Sequence, residues 1–370
     1  MDDRAPFFSV IVPCCNVGRY VDALVGSVRR QSCADWECLL SVEDSDDDTR
    51  ARCEAAARAD ARFRVLFGPR SGSASVPRNR ALAVARGRYV VWADGDDMLA
   101  DGALARFAAD ARRADAPDVI ACAAEAREED AEGRVLSAAR VSNFPASADG
   151  RTLTGAEAMC EIDRTATRYF PMPWLMAMRA DFVRAHALTF IPHIHSEDAE
   201  WMPRVLYAAR RLYVEGAVCY VYRHRPGSAT TSPYSAFEMA SYVRVYGALF
   251  HFHATHPFPP RVSRAWAGLL LSQFLGWMFF PRTVAALPAR VWQRTFRELW
   301  CVCSRRDVLR LVRFAGLPKR LAAPLVLLCG LHPLLDAPAK AFFRFLYYPL
   351  VLRQVKKREQ KLRPPSGVPS

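Results

Sequence analysis

Gly87-Arg-Tyr-Val-Val-Trp-Ala-Asp-Gly-Asp-Asp-Met98 is the stretch from which the fold can be worked out. Residues 89–93 form an apolar run rich in aromatic and β-branched side chains. That pattern predicts a strand buried on both faces of a mostly parallel sheet. The run ends in Asp94, Asp96 and Asp97. In open α/β sheets ligands bind beyond the carboxyl ends of the strands, which is where these carboxylates fall. Asp94 and Asp96 are separated by one small residue and can point the same way from an extended backbone. Oxygen ligands of this kind suit Mg²⁺ or Mn²⁺, and Mg²⁺ usually combines one or two carboxylates with substrate phosphates. A bare Asp-x-Asp is more often a polar turn, so the rest of the chain has to decide.

On either side, apolar runs and amphipathic or Ala/Arg-rich segments alternate. Strands are expected at 7–12, 36–42, 63–67 and 118–123, and helices at 20–30, 49–59, 76–86 and 101–113. This alternation predicts βαβ units and an α/β, doubly wound, mostly parallel sheet. Residues 125–142 are polar and read as a hairpin or an excursion over the sheet. Residues 154–160 read as helical, 170–176 as a strand or ordered loop, and 181–186 as a short helix. His193-Ile-His-Ser-Glu-Asp-Ala-Glu-Trp201 opens a helix to about residue 211, and 212–222 is a further strand.

The 370 residues are 51% hydrophobic and carry a formal charge of +13, unevenly spread. From Ser235 onward there are 21 Lys/Arg against 5 Asp/Glu, which leaves 30 against 33 before it. The basic character therefore belongs to the C-terminal region. Met1-Asp-Asp is acidic and strand-like sequence follows at once, so no signal peptide is expected. The eleven cysteines are scattered without a CxxC pair, which favours reduced thiols in the cytoplasm over a disulfide framework or a zinc site.

Other acidic and basic clusters sit at element ends. The carboxylates of Glu43 and Asp44 can accept from a base N–H or from sugar hydroxyls, although such a pair is commonly a solvated loop, as Asp46–Asp48 are expected to be. Pro77-Arg-Asn-Arg80 opens a helix whose N-terminus favours anions, with Arg78 able to hold a carboxylate or phosphate; a plain helix start is an equal alternative. Glu197 and Asp198 open another helix and suit either macrodipole stabilisation or a general base. Arg223, His224 and Arg225 offer cationic donors to a diphosphate, or form an ordinary basic loop. His193 and His195 lack a third ligand and are a weak metal signal.

The order of these motifs resembles family 2 glycosyltransferases of the GT-A fold, in particular bacterial cell-surface polysaccharide transferases. The matching residues are Ser9-Val-Ile-Val-Pro13 with Asn16, Ser27 with Gln31, Val42-Glu-Asp44, Arg78-Asn79, Gly87 through Asp94-x-Asp96-Asp97, Pro173-Trp174, Glu197-Asp198, and Tyr222-Arg223 with Gly227-Ser228. The resemblance covers roughly residues 7–232. It implies inverting transfer of a sugar from a nucleotide-diphosphate donor, a UDP-sugar in the first instance, to a glycan or lipid-linked acceptor. It further implies that Asp198, with Glu197 beside it, is the catalytic base. Pro13, Asn16, Glu43, Asp44, Arg78, Asp94, Gly95, Arg223, Arg225 and Ser228 would bind the donor. Asp96, Asp94 and His224 would hold Mg²⁺ or Mn²⁺, and Trp174 would be an apolar platform for the acceptor. Two departures bear on the nucleobase: Cys15 stands where the family often has an aromatic residue, and Glu43-Asp44-Ser45-Asp46 replaces the common Asp-Asp-Gly-Ser.

The expected organisation is a catalytic domain over 1–234, a basic amphipathic helical region over 235–352, and a polybasic, disordered tail over 353–370. The apolar runs at 265–281 and 321–335 are shorter than the roughly 20 residues a spanning helix needs. Arginines and aromatics interrupt them, as in helices that lie in a membrane interface, and Lys356-Lys357-Arg358 would attract anionic lipids. A peripheral place at the inner face of the cell membrane follows as an expectation, as does a helical bundle packed on the catalytic domain. No nucleic-acid-reading motif accompanies the charge. A sugar nucleotidyltransferase and a non-catalytic sugar-nucleotide-binding protein are the alternatives.

Overall fold

Strand β1 (Phe8–Cys14) is buried at every position except Pro13, and it has a parallel partner on each side. On one side it pairs with β2 (Trp36–Glu43), from Phe8 opposite Trp36 to Cys14 opposite Val42. On the other it pairs with β4 (Tyr89–Trp92), from Phe8 opposite Tyr89 to Ile11 opposite Trp92. The chain crosses from β1 outward to β2 and β3 (Phe63–Gly68), then returns past β1 to β4. That reversal of strand order opens a crevice at the carboxyl ends of β1 and β4. The computed structural model describes residues 5–165, 169–224, 235–279 and 289–315, with Lys319, Pro324, Val326 and Leu327.

The connecting helices are α1 (Gly18–Arg29), α2 (Thr49–Ala59), α3 (Ser75–Val84) and α4 (Ala103–Arg113). In α1, Val21, Leu24, Val25 and Val28 form the buried face, as their helical spacing requires. The Ser27 hydroxyl accepts from Leu99 N–H at 3.1 Å, and Gln31 donates to Ala100 O at 2.9 Å and accepts from Leu104 N–H at 3.0 Å. These two residues tether the chain as it leaves β4 through β5 (Met98–Leu99) towards α4. At the opposite end of the sheet, buried Glu37 accepts from Ser9 Oγ, Arg64 and the Arg86 N–H. Burial favours its neutral acid, yet these donors hold its pKa below the ordinary value. Gly87 lies so close to β1 that a Cβ would sit 2.4 Å from Ser9 N, so no larger residue fits here.

The remaining strands make the sheet mixed. They are β6 (Val119–Glu129), β7 (Val135–Val141), β8 (Thr152–Leu153), β9 (Met176–Arg179) and β10 (Leu212–His224), in an order β3-β2-β1-β4-β9-β6-β10-β5, with β7 on β6 and β8 on β10. The polar 125–142 segment is the β6–β7 hairpin, its turn held by Asp130, which accepts from Glu132 N at 3.0 Å and Arg134 N at 2.8 Å. Residues 173–175 form a single 3-10 turn that leads into β9. β9 inserts antiparallel between β4 and β6, pairing Arg179 with Tyr89 and Met178 with Val119. Alternation of strands and helices along the chain gives no sign of this insertion, because β9 comes from a later, proline-broken stretch. Helices α5 (Gly155–Thr165), α6 (Ala180–Ala185) and α7 (Glu197–Ala208) complete the N-terminal elements. The ten described cysteines are all free.

The chain divides into two compact units, one within Met1–Ala158 and Phe170–Pro233, the other within Met159–Tyr169 and Tyr234–Ser370. The second contains α8 (Ala236–Thr255), α9 (Pro260–Phe279), α10 (Ala289–Val302) and α11 (Arg305–Val312). Ser235 and Glu238 form a reciprocal capping box at the start of α8. Trp266, Trp292, Tyr246, Phe250 and Phe274 are fully buried in this unit. Among the described residues, no helix is long and apolar enough to cross a membrane. The expectations for 321–335 and 353–370 fall almost wholly outside the described residues.

His253 of α8 is buried, its Nε2 lies 3.1 Å from Ser263 Oγ, and its Nδ1 has no hydrogen-bond partner. Burial, aided by Arg313, pushes its pKa down to about 4 from 6.5. A base held neutral by folding stabilises fully above its unfolded pKa, and that contribution is lost as pH falls towards the folded one. The apparent melting temperature is therefore expected to drop between pH 6.5 and about 4, and His253→Phe should flatten that part of the profile. Parallel profiles for the two proteins would remove His253 as the cause.

Candidate active site

The turn after β4 is closed by Asp97 N–H donating to Asp94 O at 3.1 Å. It is strung on β10 by two residues. The Tyr220 hydroxyl accepts from Asp94 N–H at 2.9 Å and donates to Asp97 Oδ2 at 2.7 Å, while Arg223 N–H donates to Asp97 Oδ1 at 2.8 Å. Asp97 and Tyr220 are each 1% exposed. Burial, with Asp96 and Asp94 close by, pushes the Asp97 carboxyl well above the usual range. Asp97 is thus an anchor beneath the turn, and Asp94 and Asp96 are the two carboxylates that remain half-exposed. Gly95 between them packs on β1: a Cβ there would come within 2.9 Å of Val17 Cγ2 and 3.0 Å of the Pro13 carbonyl oxygen. Pro13 and Gly95 therefore act through close backbone approach.

Arg78, in the first turn of α3, connects this turn to α7. Its guanidinium donates to Asp94 Oδ1 at 2.6 Å and to Glu197 Oε1, and it lies over the Phe190 ring at 5.4 Å. Burial alone would lower its pKa, but Asp94 and Glu197 raise it above the ordinary value. Burial outweighs the attraction of Arg78 at Glu197, whose pKa is raised. Asp198 follows and accepts from Ala199 N–H at 2.8 Å. Burial first, then the neighbouring Glu197, pushes the Asp198 carboxyl up to about 7, with Arg78 opposing. The segment ahead of α7 is tied to the loop before α3. His193 Nδ1 lies 3.4 Å from Ser71 O, His195 Nε2 lies 3.2 Å from Gly72 O, and Asn79 exchanges two hydrogen bonds with the Phe190 backbone.

At the end of β2, Glu43 is 3% exposed, with Oε2 accepting from Ser71 N–H at 3.2 Å and Oε1 without a hydrogen-bond partner but 3.8 Å from the Arg80 guanidinium. Asp44 is exposed. Asn16 adopts a left-handed backbone at φ 52° and exchanges hydrogen bonds with Asp46, accepting its N–H at 2.8 Å. Arg70 completes this loop, donating to Asp44 O at 2.9 Å and Asp46 Oδ2 at 2.6 Å. No motif pointed to Arg70. Asp47 is no plain solvated residue either: it accepts from Gly18 N–H at 2.8 Å and from Thr49.

Several expected roles change. Arg223 is not an open donor for a diphosphate, because Glu129 takes its Nε at 2.9 Å and Nη2 at 2.7 Å and the Tyr20 ring covers it at 4.9 Å. His224 turns its Nδ1 to Glu128 Oε1 at 3.0 Å. Among the described residues no group of three His, Cys, Asp or Glu could hold a metal, so an Asp94, Asp96 and His224 set does not form. Trp174 is 4% exposed and stacks on Tyr220 at 4.6 Å and on Tyr222 at 5.3 Å, so it supports β10 instead of offering a platform. Glu200 is held by Arg204 at 2.6 Å. Arg225 and Ser228 lie outside the described residues.

The fold has counterparts among known proteins. Residues 9–170 match the family described as glycosyl transferase family 2. The uncharacterised glycosyltransferase EpsJ of Bacillus subtilis is 27% identical over 62% of this chain and 64% of its own length. WfgD of Escherichia coli, a UDP-Glc:α-D-GlcNAc-diphosphoundecaprenol β-1,3-glucosyltransferase, is 35% identical over 26% of this chain and 37% of its own. The chain thus matches less than two thirds of the length of either relative. The structure of S. aureus TarS 1–349 in complex with UDP-GlcNAc superimposes with a TM-score of 0.69 over 91% of both chains, at 18% identity. Residues 9–170 thus resemble a family 2 glycosyltransferase domain, and the fold is GT-A.

Tyr220→Phe deletes one hydroxyl and leaves Asp94 N–H without its acceptor and Asp97 Oδ2 without its donor, while Arg223 N–H still donates to Oδ1. Unsatisfied buried groups each cost about 1–3 kcal/mol, so a loss of stability in that range is expected. Unfolding at the wild-type denaturant midpoint would show that the hydroxyl does not anchor the turn.

Proposed function

We propose that this protein transfers one sugar, with inversion, from a nucleotide-diphosphate donor to a hydroxyl of a saccharide or lipid-linked acceptor. What carries this reading is Asp198: a half-buried carboxylate at the start of α7, with its pKa pushed up to about 7, linked through Glu197 and Arg78 to Asp94. A general base works best when its pKa lies near the working pH. Asp198 takes the proton of the acceptor hydroxyl as that oxygen attacks the anomeric carbon. The bond from this carbon to the diphosphate oxygen breaks, and the nucleoside diphosphate leaves with the electron pair. Glu197 and Arg78 keep Asp198 in register with the donor end of the sheet.

Two half-exposed carboxylates with no third protein ligand among the described residues suit Mg²⁺ or Mn²⁺, which complete their shells with phosphate oxygens and water. Asp94 and Asp96 would hold the ion, which when bound supplies Lewis-acid charge to the leaving diphosphate. The donor is read as a UDP-sugar, supported by the names of WfgD and of the TarS complex. Glu43, Asp44 and the loop built by Asn16 and Arg70 would take the nucleoside. A nucleotidyltransferase would release pyrophosphate, and a mere binding protein would release nothing, so product analysis separates all three.

Asp198→Asn keeps size and an oxygen that can accept from Ala199 N–H but removes the base. Transfer is expected to fall by about 10²–10⁴-fold while UDP affinity holds; a variant that keeps a tenth or more of wild-type transfer would leave the base unassigned. A base acts unprotonated, so wild-type kcat/KM should climb with pH to about 7 and level off above it. That acid limb should vanish in Asp198→Asn. Asp96→Ala should weaken UDP binding in the presence of Mn²⁺, and calorimetry giving equal affinities would remove Asp96 from the ion's shell.

A further inference from the structure

Two helices of the second unit carry a charge pattern that their packing leaves unexplained. Helix α10 buries Trp292, Thr295, Phe296 and Leu299, and both it and α11 pack on α8. Its other face exposes Arg290, Arg294 and Arg297, spaced i, i+4 and i+7, a straight stripe on a helix. Helix α11 repeats the arrangement, with Val308, Leu311 and Val312 buried and Arg306 and Arg310 exposed, and Arg313 exposed just beyond its end. Residues 289–315 hold seven arginines against two acids, Glu298 and Asp307. Both acids are engaged, Glu298 by Arg294 at 2.7 Å and Asp307 by Arg310 at 4.0 Å. Among the described residues, Arg290, Arg297 and Arg306 form no ion pair. One aliphatic side chain stands exposed among these arginines, Leu309 at 49% between Arg306 and Arg310, whereas Val302 packs against Gly247 of α8.

Arginine stripes need neither exposed aliphatic neighbours nor an amphipathic frame to bind a polyanion in solution. An interface helix needs both: charged groups at the headgroups and apolar side chains entering the acyl boundary. We propose that the outer face of α10 and α11 docks on an anionic lipid surface, with Arg290, Arg297 and Arg306 meeting headgroups and Leu309 inserting beside them. This surface stands independently of the sugar-transfer chemistry. It differs from the polybasic stretch around Lys356–Arg358, which is a separate part of the sequence.

The test is co-sedimentation of the full chain with vesicles of phosphatidylglycerol and phosphatidylcholine, against pure phosphatidylcholine, at low and high salt. Screening should weaken binding as salt rises. The triple variant Arg290→Glu/Arg297→Glu/Arg306→Glu is expected to bind the anionic vesicles at least tenfold more weakly while UDP affinity stays as in wild type. A matching Arg→Gln triple variant, expected to show an intermediate loss, keeps the result readable should the reversal disturb folding. Leu309→Ser should weaken binding further at high salt, where insertion remains. Undiminished vesicle binding by both triple variants overturns the proposal. So does a loss confined to Lys356→Glu/Lys357→Glu/Arg358→Glu, or capture of a single-stranded oligonucleotide with no affinity for anionic vesicles.

Discussion

A guanidinium cut off from water must be matched by anions within reach, and Arg78 is matched by two, Asp94 at the end of β4 and Glu197 at the start of α7. Removing one partner of a buried pair leaves a charge that the interior cannot solvate. The two carboxylates, 103 positions apart in sequence, are therefore held as one piece. The contacts around them follow the same line. His193 and His195 meet the 71–72 carbonyls, and Asn79 pairs twice with the Phe190 backbone, so four more interactions join the α3 and α7 neighbourhoods. Asp198 inherits its burial and its raised pKa from this arrangement.

Much of the sheet is legible because its strands are buried on both faces and read as continuous apolar runs. Residues 36–42 and 89–93 stand out for that reason, and the Ala/Arg-rich helix Thr49–Ala59 stands out by intrinsic propensity. The mixed character of the sheet is not legible. Strand β9 is only Met176-Ala-Met-Arg179, too short for alternation and preceded by prolines. Its place between β4 and β6 is a matter of tertiary pairing alone.

Candidate site residues divide in the same way. Asp94, Asp96 and Asp198 can be picked out because carboxylates at element ends are chemically conspicuous. What each polar group finds as a partner is not local information. Arg223 is satisfied by Glu129, His224 by Glu128, and Trp174 by Tyr220 and Tyr222, all on neighbouring strands reached through long connections. Tyr220 and Arg70 carry no signal of their own, since a tyrosine within a strand and an arginine within a loop are ordinary. Ser27 and Gln31 show a further limit: they belong to the recurring motif series yet serve to hold the chain after the acidic turn.

The hydroxyl that pins Asp94 and Asp97 lies on a strand 126 residues further along the chain. During synthesis β1 to β4 can pair in parallel as soon as they emerge, whereas the acidic turn stays unpinned until β10 has been made and docked on β6. Long-range closure of this kind is slow. The acidic end of the sheet thus depends on a pairing that cannot form before β10 exists, and until then its three mutually repelling carboxylates lack the Tyr220 anchor. Any ligand that bound that turn would favour the late closure over the open intermediate.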